Sequence, residues 1–92
     1  MRQRGEKQLR QTKQGDSLLR AIGETISEAR DNVGVTQTEL ARRVHVSRFQ
    51  MCKHESGQAE MPITRLFEIC TALKVKPTEF MREAIRVMNN GE

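Results

Sequence analysis

From Leu40 to His54 the chain carries Arg42, Arg43, Arg48 and Lys53, sets Phe49 and Gln50 among them, and has no acidic side chain. Cations at this density suit a polyanion. Arginine and lysine neutralise phosphates, and arginine, lysine and glutamine also match the donor and acceptor patterns of base edges. Two other chemistries need weighing in the same stretch. His45, Cys52 and His54, with Cys70 farther on, are metal-ligating types, but their spacing matches no paired C-x₂₋₄-C pattern. Cys52 near a histidine is a nucleophile–base pair in composition only. A nucleophile needs a pocket and an oriented base, and the sequence offers neither. No catalytic residue, metal or cofactor is therefore expected; Cys70 reads as core and Cys52 as a small residue on a helix.

A basic set works only if an element presents it on one face. Thr36 is followed three residues later by Glu39, and Ser47 by Gln50. Each pair has the form of a capping box, in which the hydroxyl takes one backbone N–H and the later side chain reaches back to another. The spacing predicts two short helices within residues 36–57, joined by the turn Val44-His45-Val46. That turn must reverse within a few residues, so a positive φ is expected there, and histidine is among the non-glycine types enriched in that region. Leu40, Ala41 and Val44 form the inner face of one helix, Met51 and His54 that of the other. Gly57 stands where a C-terminal glycine belongs.

The supporting elements follow from apolar spacing and punctuation. Leu18, Ile22, Ile26, Ala29 and Val33 predict a first helix over residues 17–32, capped by Asp16 or Ser17 and ended by Gly34. Pro62 opens a fourth helix with Ile63, Leu66, Phe67, Cys70 and Leu73 facing inward. Pro77 opens a fifth with Phe80, Met81, Ala84, Ile85, Val87 and Met88, more apolar surface than one face needs. No strand-like alternation interrupts the pattern. The expected class is all-α: a basic arm over residues 1–16, a five-helix domain over 17–88 and a short tail over 89–92. The arm reads either as a solvated tail or as a segment lying on DNA phosphates or in a minor groove.

Composition bounds the partners. Ninety-two residues make one small domain, and such a chain buries only about 60–65% of its unfolded surface, so a dimer would add support. The net charge is +4, distributed unevenly: residues 1–16 hold five basic against two acidic side chains, residues 17–92 eleven against ten. Patterned positive charge on a nearly neutral body points to nucleic acid more than the total does. Two cysteines are too few for a disulfide scaffold. No apolar run approaches the roughly 20 residues of a membrane span, and MRQRGEKQLRQTKQG lacks the apolar centre of a signal peptide. A cytoplasmic protein with no membrane partner is expected.

Residues 18–80 resemble the helix-turn-helix domain of the Cro and phage-repressor type, also called the xenobiotic-response-element type. The matching positions are Arg30, Gly34-Val35-Thr36-Gln37, Glu39-Leu40-Ala41, Val46-Ser47, Met51, Glu55, Gly57, Pro62 and Leu73-Lys74-Val75. The resemblance implies a lambda-repressor-like DNA-binding fold and a role in transcription regulation. It places Gln37 on a DNA phosphate, where it braces the recognition helix. It puts Ser47, Arg48, Phe49, Gln50 and Lys53 at DNA-facing positions, with Arg43 nearby for the backbone. Arg48 and Lys53 suit guanine O6 and N7, Gln50 suits adenine or a phosphate, and Phe49 suits a thymine methyl or else turns inward over the turn. Arg30 and Glu55 match a structural ion pair of the family. Three positions depart from the family pattern: His45 replaces the turn glycine, His54 a bulky apolar residue, and Gln58-Ala59-Glu60-Met61 a basic loop. With Glu60 in that loop, phosphate binding leans on Gln37, Arg42, Arg43 and the arm.

The expected function is a sequence-specific, homodimeric repressor in a bacterium or a phage-infected cell, associated with the nucleoid. It would read a palindromic operator in double-stranded DNA through the major groove, using the helix that starts at Ser47. Phe80, Met81, Ala84, Ile85 and Met88 are the expected dimer interface. Two alternatives share the fold: an antitoxin with a toxin partner, and a protein-interaction adaptor. An enzyme is the class the residues exclude.

Overall fold

A computed structural model describes residues 13–91, which form five helices: α1 (Lys13–Val33), α2 (Gln37–Arg43), α3 (Arg48–Ser56), α4 (Ile63–Leu73) and α5 (Pro77–Asn90). Among the described residues there is no strand. The all-α, five-helix expectation therefore holds, with corrected ends. Helix α1 begins at Lys13, four residues inside the expected arm, and Asp16 sits within its first turn instead of capping it. A carboxylate there complements the positive end of the helix dipole. Residues 1–12, the rest of the arm, lie outside the described residues, as does Glu92. Asn89 and Asn90, assigned to the tail, continue α5.

Both hydroxyl caps form. Thr36 Oγ1 accepts the Glu39 N–H at 3.1 Å, and Ser47 Oγ accepts the Gln50 N–H at 2.9 Å. The return arms of the boxes are used elsewhere: Glu39 turns to two arginines and Gln50 to a histidine. At their other ends α1, α2, α3 and α4 share one solution. A residue at positive φ follows each helix: Gly34 at 71°, His45 at 61°, Gly57 at 77° and Lys74 at 62°. The next N–H then returns to a carbonyl five residues back: Val35 to Arg30, Val46 to Ala41, Gln58 to Lys53 and Val75 to Cys70, at 2.9–3.0 Å. These are Schellman-type closures, which satisfy carbonyls that helix ends leave orphaned. The expected positive φ at His45 is present, and Lys74 adds a second that the sequence reading did not anticipate.

The core is drawn from all five helices. Ile26, Leu40, Met51, Ile69, Cys70, Leu73, Phe80 and Ala84 are each 3% exposed or less. Helix α1 is the central element, packed against α5 and α3 and touching α2 and α4 as well. Its apolar face is rotated from the expected one: Ala21, Gly23, Thr25 and Ile26 are buried, Ile22 and Ala29 pack partly against the core, and Val33 is 51% exposed. Gly23 explains the close crossing. A Cβ there would sit 2.2 Å from the Glu55 carbonyl oxygen and 2.7 Å from that of His54, so only glycine lets α1 lie against the end of α3.

Two expectations about faces are corrected. Ile63 and Phe67 of α4 point to solvent, because Leu66, Ile69, Cys70 and Leu73 already fill its inner face. Phe80 and Ala84, assigned to a dimer interface, are consumed by the chain's own core. A side chain with no remaining accessible surface cannot bury more of it against a partner. Of that set, Met81 and Met88 are half-buried and Ile85 is exposed, at i, i+4 and i+7 spacing on one face of α5. No helix among the described residues is long and apolar enough to cross a membrane.

Candidate nucleic-acid interface

Helix α3 has no strong amphipathic stripe; Met51 and His54 are its buried residues, Glu55 turns in toward α1, and Arg48, Phe49 and Cys52 are exposed. Arg48 and Phe49 open its first turn, and Phe49 is 68% exposed. An aromatic ring this open in a small domain has left the core, so the inward alternative for Phe49 is not the one adopted. Lys53, one turn on, places its Nζ 4.8 Å from the Phe49 ring centroid. A cation over an aromatic face is attracted by the ring quadrupole, by about 0.5–1 kcal/mol at an exposed site. Ser47 caps this end of the helix, leaving Arg48, Phe49, Gln50 and Lys53 together on one outward region. Cys52 is exposed on the same helix, while burial raises the thiol pKa of Cys70. Among the described residues no three His, Cys, Asp or Glu side chains gather to hold a metal.

A polar network beneath this region fixes its angle to the rest of the fold. Arg30 of α1 donates Nε to Glu55 Oε2 at 2.8 Å and Nη2 to Glu55 Oε1 at 3.0 Å, a two-bond fork onto the last turn of α3. Its Nη1 donates to the Val35 carbonyl at 2.9 Å, and Ser27 Oγ donates to Glu55 Oε1 at 2.6 Å. Both side chains are largely buried, at 15% and 6% exposure. Burial pushes the Glu55 carboxyl up, but hydrogen bonds from Arg30, Ser27 and Gln37, with the Arg30 charge, outweigh it and hold the group below its ordinary value. The Glu55 hydrogen bond in turn raises Arg30. Gln37, at the start of α2, extends the network outward by accepting from Arg48 Nη1 at a long 3.4 Å. The chain Arg30–Glu55–Gln37–Arg48 thus links α1, α3 and the N-terminus of α2.

The acid-free window is less positive in space than in sequence. Glu39 stands one residue outside it and takes both arginines of α2: Arg42 Nη2 and Nε at 2.6 and 3.2 Å, and Arg43 Nε at 2.8 Å. Hydrogen bonds from these two guanidiniums lower the Glu39 carboxyl to about 2. Arg43 also donates to the Ala72 carbonyl of α4 at 3.4 Å. Its contacts therefore lie with α2 and α4, and the structure does not gather it with the α3 set. The pairs sit at i,i+3 and i,i+4 in a helix, a spacing readable in the sequence. Glu60, in the link between α3 and α4, is exposed.

The buried end of α3 holds residues that sequence reasoning placed without their partners. His54 is 1% exposed. Arg65 Nη1 of α4 donates to its Nε2 at 3.1 Å, and Gln50 Nε2 lies 3.3 Å from the same atom. Its Nδ1 is buried, and the ring's remaining polar neighbour is the Ala59 carbonyl. Burial first, and the Arg65 charge second, lower the His54 pKa, with the Ala59 carbonyl pulling the other way. Ser27, Arg65 and Gly23 were not anticipated. Only Gly23 left a signal, being a glycine inside a helical pattern.

Comparison with known proteins agrees with this geometry. The sequence profile of the Cro/C1-type HTH DNA-binding domain matches residues 25–82. An uncharacterized HTH-type transcriptional regulator, y4wC of Sinorhizobium fredii, is 30% identical over 71 residues, 77% of this chain. This chain spans about half the length of that curated relative, 50%. Among solved structures, the clp gene regulator ClgR from Corynebacterium glutamicum superposes with a TM-score of 0.78 at 30% identity, covering 80% of this chain and 79% of that one. The restriction-modification controller protein C.Esp1396I, as a tetramer in complex with its natural 35 base-pair operator, superposes with a TM-score of 0.69 at 25% identity, covering 77% and 93%.

Proposed function

The chain belongs to the family of Cro/C1-type helix-turn-helix DNA-binding domains, and from that premise we propose that it regulates transcription by binding a palindromic operator as a homodimer. Helix α3 enters the major groove. Arg48, Phe49, Gln50 and Lys53 meet base edges there, and Ser47 and Gln37 meet phosphates at two helix starts, where free N–H groups and the dipole favour an anion. The observation that carries the reading is the open α3 face, with Phe49 68% exposed and Lys53 over it, on a helix held to α1 by the Arg30–Glu55 fork. A lone α3 reads only a few base pairs. Two-fold pairing would set two copies about 34 Å apart along one face of the duplex. Met81, Ile85 and Met88 of α5 are the residues of the expected interface that keep surface for it, and repression follows if the operator overlaps a promoter. The domain takes in all of α1 to α5, residues 13–90.

Titration against duplex DNA at increasing salt tests the binding itself. A reader of DNA loses affinity with a log–log slope of roughly −4 to −8, for about five to nine phosphates neutralised. A flat response would favour the protein-interaction adaptor. Glu39 gives that second reading its one structural support, because it engages both arginines of α2. Sedimentation of wild-type protein and of Ile85→Glu tests the dimer. A dimer that Ile85→Glu splits supports the α5 face, and a monomer at high concentration refutes the pairing.

A further inference from the structure

Gln50 and His54 lie one turn apart on α3, and two groups converge on the buried His54 Nε2: Arg65 Nη1 at 3.1 Å and Gln50 Nε2 at 3.3 Å. A guanidinium donates and never accepts. The Arg65 contact is therefore a hydrogen bond only if His54 Nε2 carries a lone pair, which puts the ring proton on Nδ1. That single lone pair, shared between the two donors, also decides the direction of the Gln50 amide. Its nitrogen faces the ring, because an oxygen there would set two acceptors against each other. Arg65, from a different helix, thereby determines which end of Gln50 turns inward.

We propose that His54 positions Gln50 for base reading: it holds one amide N–H and leaves the carbonyl oxygen and the second N–H as an acceptor–donor pair, the complement of adenine N6 and N7. The inference rests on α3 being the DNA-reading helix. His54 is too deeply buried to meet a base, so its effect passes through Gln50. An apolar residue at this place would fill the same core volume and leave the amide free to rotate. A rotating amide offers a donor or an acceptor to whatever edge it meets, and discrimination falls.

The test is selection from a randomised duplex library at neutral pH, using the whole chain and its Gln50→Ala, His54→Leu, His54→Gln and Arg65→Met variants. Gln50→Ala marks the base pair that Gln50 reads, as the position whose preference disappears. Wild-type protein should enrich adenine there. In His54→Leu and Arg65→Met the adenine preference at that pair should fall about fivefold or more, the lower end for one good side-chain–base pair, with other positions unchanged. His54→Gln should keep it, since its Oε1 supplies the acceptor in place of Nε2. Circular dichroism on each variant separates loss of fold from loss of positioning, and Arg65→Met, at a half-buried site, carries the test if His54→Leu does not fold. Several outcomes overturn the proposal: a Gln50-dependent pair that is not adenine, no Gln50-dependent pair, or a preference that stays sharp in both His54→Leu and Arg65→Met. A wild type that enriches no motif refutes the DNA-reading premise itself.

Discussion

Replacing Gly23 with alanine should destabilise the protein, although the same change in an open helix stabilises it by about 1 kcal/mol. The added methyl would stand 2.2 Å from the Glu55 carbonyl oxygen, 2.6 Å from its carbonyl carbon and 2.7 Å from the His54 oxygen. Ordinary contact between such atoms begins near 3.3–3.5 Å, so α1 and α3 must part by about 1 Å. All three atoms belong to the α3 backbone, so no side chain can swing aside. Overpacking of this kind costs roughly 1–3 kcal/mol. The separation also stretches the Ser27 and Arg30 bonds to Glu55, whose charge-assisted class is worth about 1.5–3 kcal/mol each. Overpacking less the helix-propensity gain leaves up to about 2 kcal/mol, and losing part of one such bond brings the net loss to about 2–3 kcal/mol, a fall in Tm of roughly 10–20 °C for a domain of this size. Thermal melting followed by circular dichroism, with urea unfolding beside it, measures the change. DNA affinity measured well below the new Tm should fall too, because α3 is re-aimed. A neutral or stabilised Gly23→Ala protein would show that the two backbones do not approach this closely, and the account of how α3 is aimed would go with it.

Other substitutions probe separate parts of the same framework. Glu55→Gln leaves the largely buried Arg30 with only the exposed Asp31 carboxylate, 3.9 Å away, as counter-charge and should cost about 3–5 kcal/mol in urea unfolding; a loss under 1 kcal/mol would mean the fork contributes little. Glu55 sits below its ordinary carboxylate range when folded, so its contribution is complete above about pH 4.5 and is lost as pH falls through the depressed folded value. Urea midpoints of the wild type should drop over that acid range, and those of Glu55→Gln should drop less. His54 also titrates lower when folded, facing the Arg65 guanidinium from α4 and the Ala59 carbonyl from the α3–α4 link. Its contribution is complete above about pH 6.5 and declines as pH falls toward the folded value, because the unfolded chain takes up the proton first. The wild-type stability lost between neutral pH and pH 5 should therefore be smaller in His54→Gln, and equal slopes for the two proteins would count against a neutral buried ring. Finally, His45 holds φ at 61°, a region that strains any residue with a Cβ, so His45→Gly should raise stability by about 0.5–1 kcal/mol after the entropy of the unfolded glycine is deducted. Melting below the wild type would mean that the His45 side chain contributes more than its backbone costs.

Legibility varied with the range of the interaction. The caps at Thr36 and Ser47, the stops at Gly34 and Gly57 and the turn at His45 were all visible, because each is decided within a few residues. The bracing of α3 by Arg30 was visible only through resemblance, since nothing in composition pairs two residues that far apart. Faces fared less well. Helix α4 offers Ile63, Leu66, Phe67, Cys70 and Leu73 over about 120° of azimuth, with Ile69 just beyond one edge, and spacing cannot choose which part of that arc goes inside. The structure chooses Leu66, Ile69, Cys70 and Leu73, the set nearest α1, α2 and α5, and leaves Phe67 half exposed. Phe80 and Ala84 of α5 were misassigned for the same reason: surplus apolar surface signals burial, but not whether the neighbour is the chain itself or another copy.

The sequence by itself determined the five helices seen among the described residues, where the short ones begin and end, and that a basic, aromatic-bearing helix starts at Ser47. Those outcomes depend on backbone hydrogen bonds closed within one turn, so local residue types suffice. Tertiary structure alone decided how far the charge is free and how α3 is held. Glu39 binds both arginines of α2, Gly23 lets α1 approach the end of α3, and Arg65 reaches His54 from another helix, beside Gln50. The two inter-helix contacts join residues eleven or more positions apart through a few ångströms of space, and only the packed chain brings them within reach.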